Sequence, residues 1–288
     1  MSNLTRQILN VFKLRIGVVI ALTALTGFAI APGADAPAWK AALIGMAVLL
    51  SAAAAGAFNQ YVERDIDVRM ARTRNRPFVT GALKHGPAWL WLMAAMVGGS
   101  TAATAWALNP VAALYVFLGA FFYAVVYTVW LKRRTWLNIV IGGLAGSFAV
   151  LAGAAAVNPQ FEPLSLSLAL VLFLWTPPHF WSLAIACKDD YASANVPMLP
   201  VVIGIPAAAR VILLNTIALV AASLLPAWFG AGPVYLAGAV IGGVYFLHKS
   251  VRLAMHPSRA TAMSNFHASL FQLTLLIVAA IVDAVWLR

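Results

Sequence analysis

Apolar residues run along this chain in blocks about as long as a bilayer is thick, and the polar residues gather in the short gaps between them. A helix needs about 20 apolar residues to cross the hydrocarbon core, with about 17 to 25 as the working range. That length criterion predicts nine spans, at roughly 16–35, 39–58, 88–108, 111–131, 136–157, 164–187, 208–229, 234–249 and 266–287. Asn109-Pro110 alone separates the third from the fourth, a tight hairpin in which proline suits the first turn of the next helix. Only helices and closed barrels satisfy their backbone in lipid, and the alternating pattern of a barrel strand is absent here. The expected fold is an all-α integral membrane protein, a bundle of nine transmembrane helices. No hydrophilic stretch is long enough to link two domains, so residues 1–288 are expected to form one polytopic unit. Its two long polar loops cover about 59–87 and 187–206.

Composition strengthens this picture. The chain is 63% hydrophobic and 9% charged, against about 25% charged in an ordinary soluble domain. The few charges also predict an orientation. With the N-terminus in the cytoplasm, Arg6, Lys13, Arg15, Arg64, Arg69, Arg72, Arg74, Arg76, Lys84, Lys132, Arg133 and Arg134 all fall inside. So do Lys188, Arg210, Lys249, Arg252 and Arg259, which leaves Lys40 and Arg288 outside. Such asymmetry is the positive-inside signal and agrees with an odd number of spans. The formal net charge of +11 is thus explained by topology and anionic headgroups, and no nucleic-acid partner is implied. The first span lacks an A-x-A type site and is followed at once by others, so it does not read as a cleaved signal. The single cysteine, Cys187, excludes an intrachain disulfide and a cysteine-based metal site.

The acidic residues are more informative than the basic ones. Of eight, Asp35 and Glu162 fall in outside loops and Asp283 within the ninth span. The other five make two cytoplasmic patches, Glu63, Asp65 and Asp67 after span 2, and Asp189 and Asp190 after span 6. On a continuing helix Asn59, Glu63 and Asp67 are spaced i, i+4, i+8 and share one face. An amide above two carboxylates, with no His or Cys nearby, suits a hard cation, Mg²⁺ first. Mg²⁺ usually completes its shell with water and substrate phosphates. The arginines downstream, Arg72 and Arg76 among them, supply fixed bidentate donors for a diphosphate. The alternative is a solvated loop whose acids and bases merely pair. Lys188-Asp189-Asp190-Tyr191 repeats the same chemistry four helices later, and the two patches are expected to face each other and bracket one diphosphate.

Three segments carry a family resemblance. They are Asn59 to Pro77 (N-x3-E-R-D-I-D…R-T-R-N-R-P), Tyr127 to Gly143 (Y-T-V-W-L-K-R-R-T-W-L-N-I-V-I-G-G) and Trp175 to Pro200 (W-T-P-P-H-F-W…K-D-D-Y…V-P-M-L-P). In these the chain resembles the UbiA superfamily of intramembrane prenyltransferases, and specifically its haem-farnesylating branch. The resemblance implies a nine-helix UbiA-type bundle with Asp-rich motifs after helices 2 and 6, in a bacterial-type inner membrane. It implies that Asn59, Glu63, Asp67, Asp189 and Asp190 hold metal, with Asp65 between the first three as a further catalytic residue. Glu63 stands where relatives commonly carry Asp, and Phe148-Ala149-Val150 stands where many carry a Pro-Pro pair. Arg72, Arg76, Lys132, Arg133 and Lys188 become candidates for diphosphate or propionate contacts, and His179 for contact with haem. Tyr127 becomes a substrate contact, one of several aromatic faces (with Tyr61, Tyr123, Trp130, Phe180 and Trp181) suited to shield a cation.

The implied reaction takes the farnesyl group of farnesyl diphosphate to the vinyl group of haem b. Mg²⁺ neutralises the leaving diphosphate, the allylic cation meets the electron-rich vinyl carbon, and water completes the hydroxyethylfarnesyl side chain of haem O. Haem b is then a substrate rather than a cofactor, lipid surrounds the site, and haem-modifying or oxidase-assembly machinery is a candidate downstream partner. Pro177-Pro178 is expected to kink helix 6 just before His179. Rival readings are a relative that prenylates a quinone precursor, a secondary transporter, and a haem-binding electron carrier. A transporter would favour acids near the midplane on broken helices, and an electron carrier needs paired histidines at matching depths.

Overall fold

The computed structural model describes residues 3–33 and 36–286, so Asp35 and Arg288 lie outside the described residues. Every regular element among the described residues is helical. A short amphipathic helix α1 (Asn3–Val11) precedes α2 (Leu14–Ile30), and α3 is Ala38–Val62. Two short helices, α4 (Arg64–Asp67) and α5 (Pro77–Thr80), punctuate the first polar loop. Then come α6 (Ala88–Ala107) and α7 (Pro110–Phe121), which continues as a π-helical segment over Phe122–Leu131. The remainder is α8 (Asn138–Gly142), α9 (Leu144–Val157), α10 (Pro163–Ala186), α11 (Lys188–Ser193), α12 (Leu199–Val202), α13 (Ile205–Ala222), α14 (Leu225–Trp228), α15 (Pro233–Met255) and α16 (Arg259–Trp286).

Among the described residues eight helical stretches are long and apolar enough to cross a membrane, and a ninth span follows if the pair made by α1 and α2, bent by 48°, is counted as one. The expected nine-helix organisation is therefore met. Its least regular member is the first, where the helix stops at Ile30 and not near residue 35. The last two spans reach further than hydropathy suggests, because Lys249 and Arg252 ride on the end of α15 and Arg259 opens α16. Proline at 177 and 178 does not end α10, which runs unbroken from Pro163 to Ala186.

Consecutive spans pack side by side in a ring, α2, α3, α6, α7, α9, α10, α13, α15 and α16, and α16 closes back onto α2. Across the ring α2 also meets α9, and α10 meets α16. The α2–α9 crossing brings backbone to backbone, since a Cβ on Gly27 would collide with the Val150 carbonyl and one on Gly153 with the Ala24 carbonyl. Small residues at such crossings let helices approach in lipid, where no hydrophobic force drives them together. Elsewhere polar side chains link the helices. A chain of hydrogen bonds runs from Ser182 through Asn265 and Ser250 to Thr216, joining α10, α16, α15 and α13.

Candidate active site

The length of α3 sets the position of the first acidic patch. Its 25 residues span about 37 Å at 1.5 Å per residue, more than the ~30 Å hydrocarbon core. The last turn therefore stands at the membrane mouth, carrying Asn59. The helix label breaks at Glu63, but the amide of Glu63 still bonds to the Asn59 carbonyl (3.0 Å) and that of Asp67 to the Glu63 carbonyl (2.8 Å). The predicted column survives, and all three side chains are buried, at 3%, 1% and 0% exposure.

A buried charge is tolerated only when paired, and each member of the column has its own donor from a different part of the chain. Lys13, in the turn between α1 and α2, donates from Nζ to Asn59 Oδ1 at 2.7 Å. Lys132 places Nζ 2.5 Å from both oxygens of Glu63. Arg76 reaches the Asp67 carboxylate at 2.6 and 2.8 Å. Asn59 in turn donates from Nδ2 to Thr128 at 3.1 Å. Burial raises the Asp67 pKa above the ordinary carboxylate range, against the pull of Arg76. Asp65 differs. It lies at the surface in a bidentate pair with Arg133 (2.7 and 2.8 Å), and that hydrogen bonding lowers its pKa.

The second patch comes to the same end of the bundle. Asp190 accepts from the backbone amides of Ala71 (3.1 Å) and Arg72 (3.4 Å). Arg72 donates to the hydroxyl of Tyr191 at 3.3 Å, and Ser193 to the carbonyl of Arg69 at 3.2 Å. Lys188 is half-buried at the start of α11, and Asp189 is exposed. The patches thus meet, through the first loop's backbone. They do not merge into one ligand sphere. Among the described residues no three carboxylate, imidazole or thiol groups are placed to hold a metal together. The reason is local, since Glu63 and Asp67 are closed by ammonium and guanidinium groups and Asp190 by amides. The donor set still fits a hard divalent ion, because Asn59, Glu63 and Asp67 present only oxygen ligands on one buried face.

The π-helical segment lines the other side. Within it Tyr123 and Tyr127 stack at 5.6 Å with 9° between ring planes, and Lys132 Nζ lies 5.5 Å from the Tyr127 ring. Of the other aromatic candidates, Trp130 and Phe180 face outward at 55% and 39% exposure. Tyr61 stacks on His85, and Trp181 packs near Trp136. The structure does not bring His179 to the acids. Its ring is sandwiched between Trp175 (4.2 Å) and Phe266 (4.4 Å), with Nδ1 2.7 Å from Ser269 Oγ at the α10–α16 contact.

Sequence reasoning missed Lys13 as a site residue, counting it only among the topology-setting cations. No local signal marks it, because its partner is 46 positions away. Thr128 was missed for the same reason. Asp283, left without a role by the sequence, caps the start of α15 by accepting from the amides of Gly232 (2.7 Å) and Val234 (3.2 Å).

A ring of membrane helices with a buried, cation-lined oxygen cluster at one mouth defines an intramembrane protein suited to a phosphorylated lipid-like ligand. The chain matches the UbiA prenyltransferase family over residues 20–276 and belongs to it. It is 62% identical over 274 residues, 95% of each chain, to protoheme IX farnesyltransferase 2 of Paramagnetospirillum magneticum. Among solved structures it resembles that of a digeranylgeranylglyceryl phosphate synthase, with a TM-score of 0.80, 18% identity and 98% of both chains covered. It also resembles a UbiA homologue from Archaeoglobus fulgidus bound to DMAPP and Mg²⁺, with a TM-score of 0.70, 16% identity, and 96% of this chain and 99% of that one covered.

Proposed function

We propose that this chain transfers the farnesyl group of farnesyl diphosphate to the vinyl group of haem b, giving haem O within a bacterial inner membrane. The observation that carries the proposal is the buried cluster in which Lys13, Lys132 and Arg76 face Glu63 and Asp67. Lys132 and Arg76 each pair with a carboxylate and Lys13 bonds an amide oxygen and a phenol, at a mouth walled by apolar helices. A prenyl diphosphate has the complementary design, a polyanionic head on a long apolar tail. The 62% identity to a protein named for protohaem farnesylation supports haem b as the acceptor.

In this reading Asn59, Glu63 and Asp67, with Asp189 and Asp190 opposite, hold Mg²⁺, which is the ion present in the A. fulgidus homologue with its prenyl diphosphate. Held there, such an ion would supply positive charge to offset that building on the leaving diphosphate. Arg72, Arg76, Lys132, Arg133 and Lys188 serve the anionic groups, with Arg76 and Lys132 turning from their carboxylates to phosphate oxygens. Tyr123 and Tyr127 present their faces to the allylic carbon as its positive charge develops. Their place beside the cluster also keeps water from that carbon. The N-terminus and both patches lie in the cytoplasm, and the C-terminus on the far side.

The test is turnover by purified protein given haem b, farnesyl diphosphate and Mg²⁺, read by product mass. Haem O is the expected product. Prenylation of a phenolic quinone precursor, with haem b left unchanged, would overturn the acceptor assignment and keep the family.

A further inference from the structure

We infer that Lys13 is a binding residue for the diphosphate head group, presented to it by the amino-terminal helix α1 acting as a strap across the site. The inference rests on the prenyl-diphosphate reading of the cluster. Lys13 is one of two non-glycine residues with positive φ among those described, at φ 48° and ψ 42°. The other, Asn195, is a residue type that tolerates the left-handed region, whereas lysine is not. Held strain of this kind is a pointer to function when the surroundings over-determine it.

The surroundings do. Gln60, next to Asn59 on α3, donates from Nε2 to the carbonyls of Asn10 (2.9 Å) and Val11 (3.1 Å) and so satisfies the last turn of α1. Val11 is fully buried against Phe78 and Leu83 of the first polar loop. The aliphatic stem of Lys13 lies in the groove above Gly56, whose added Cβ would meet the Lys13 Cδ at 3.4 Å. The stem thus points its ammonium inward, where Nζ bonds Asn59 Oδ1 and the Tyr123 hydroxyl at 3.2 Å.

A lysine that only sets topology reaches outward to headgroups. Lys40 and Lys249 behave in that way, each lying over an aromatic ring of its own helix, Trp39 and Tyr245. Lys13 instead is bonded to two neutral partners, an amide oxygen and a phenol. Lys132 and Arg76 each neutralise a carboxylate, and Lys13 alone among the cluster cations does not. It is therefore the cluster nitrogen that can turn its N–H groups to an incoming anionic oxygen without breaking an ion pair. Because Asn10 and Val11, which Gln60 holds, lie just before Lys13 in the chain, seating α1 and aiming the ammonium are one event.

The experiment is equilibrium binding of inorganic diphosphate with Mg²⁺, and separately of haem b, to full-length protein in detergent. Lys13→Met keeps the stem and removes the charge. A charge-assisted hydrogen bond lost from a phosphate site is expected to raise the diphosphate Kd about 10- to 100-fold, with haem affinity unchanged. Lys13→Arg is expected to restore most of the affinity. Gln60→Ala, which releases the strap and leaves the charge in place, is expected to weaken diphosphate binding as well and supplies a second route should the methionine variant fail to insert. Unchanged diphosphate binding in Lys13→Met, or a loss confined to haem b, would overturn the inference. If the unaltered protein binds no diphosphate at all, the prenyl-diphosphate reading itself falls, a result distinct from equal binding by protein and variant.

Discussion

At the scale of single residues, the column Asn59, Glu63, Asp67 was legible because helical spacing puts such positions on one face whatever the rest of the chain does. Its contacts with distant partners were not legible. Lys13, Thr128 and Lys132 lie 46 to 69 positions from the side chains they meet, and nothing near them in the chain announces the contact. Burial also separates residues that the sequence treats alike. Asp65 and Asp67 stand two positions apart, yet one is an exposed partner of Arg133 and the other has no exposure at all. Their neutralisation is expected to have unequal effects. Asp67→Asn removes an anchor of the charge site, and prenyl-transfer turnover is expected to fall by about 100-fold or more. Asp65→Asn breaks a surface pair of a kind that contributes about 0–1 kcal/mol, and turnover is expected to change less than about 5-fold. Steady-state rates for both variants with farnesyl diphosphate and haem b check this, and equal losses would contradict the division of roles.

At the scale of elements, the spans were legible from hydropathy, whereas the winding of one of them was not. Over Phe122–Leu131 the backbone bonds from i to i+5, as when the Lys132 amide reaches the Tyr127 carbonyl at 2.9 Å. This has a geometric consequence. In an α-helix nine residues make about two and a half turns at about 3.6 per turn, so Lys132 would face away from Tyr123. The extra residue per turn rotates Lys132, Thr128 and Tyr123 onto the face that meets Glu63, Asn59 and Lys13. Such departures from α winding cluster at functional sites. Deleting Val125, which is 40% exposed, is expected to restore α winding and leave Lys132 about 80° around the helix from Tyr123, off the site. Binding of Mg-diphosphate is expected to weaken at least 10-fold, while Val125→Ala leaves it unchanged, and calorimetry on the two variants distinguishes register from side chain. The His179 motif carries the opposite lesson. Trp175 donates to the Ser269 carbonyl at 2.9 Å and His179 meets the hydroxyl of the same residue. The string that resembles the haem-farnesylating branch also clasps α10 to α16, a packing role that its sequence did not announce.

At the scale of the whole molecule, the ring decides what the scattered charges accomplish together. Because successive spans are neighbours and α16 closes on α2, loops an even number of spans apart are gathered at one end. The turn bearing Lys13, the loop of the first patch, the π segment's exit at Lys132 and the α11 patch all come from such loops, and they meet through contacts such as that of Asp190 with the Ala71 amide. The same end carries most of the arginine and lysine, so the positive-inside signal and the site have one origin. The far end is held differently, by Asp283 capping α15 and by the Asn109 side chain accepting from the Ala112 amide at the α6–α7 hairpin. If this arrangement is right, one topology follows for every loop. Reporter fusions after residues 85, 134 and 190 are expected to give a cytoplasmic signal, since each falls at the site end. Fusions after residues 159 and 230, in the α9–α10 and α14–α15 connections, are expected to report the opposite side. A terminal fusion at Arg288 is expected to agree with the second group, because α16 crosses once more after the turn at Arg259. A cytoplasmic signal at Arg288 would remove one crossing, and the bent pair formed by α1 and α2 would then be the first place to look for it. Its straight part, α2, has 17 residues against 20 or more in each of the eight other spans, and its crossing depends on how α1 lies at the membrane surface.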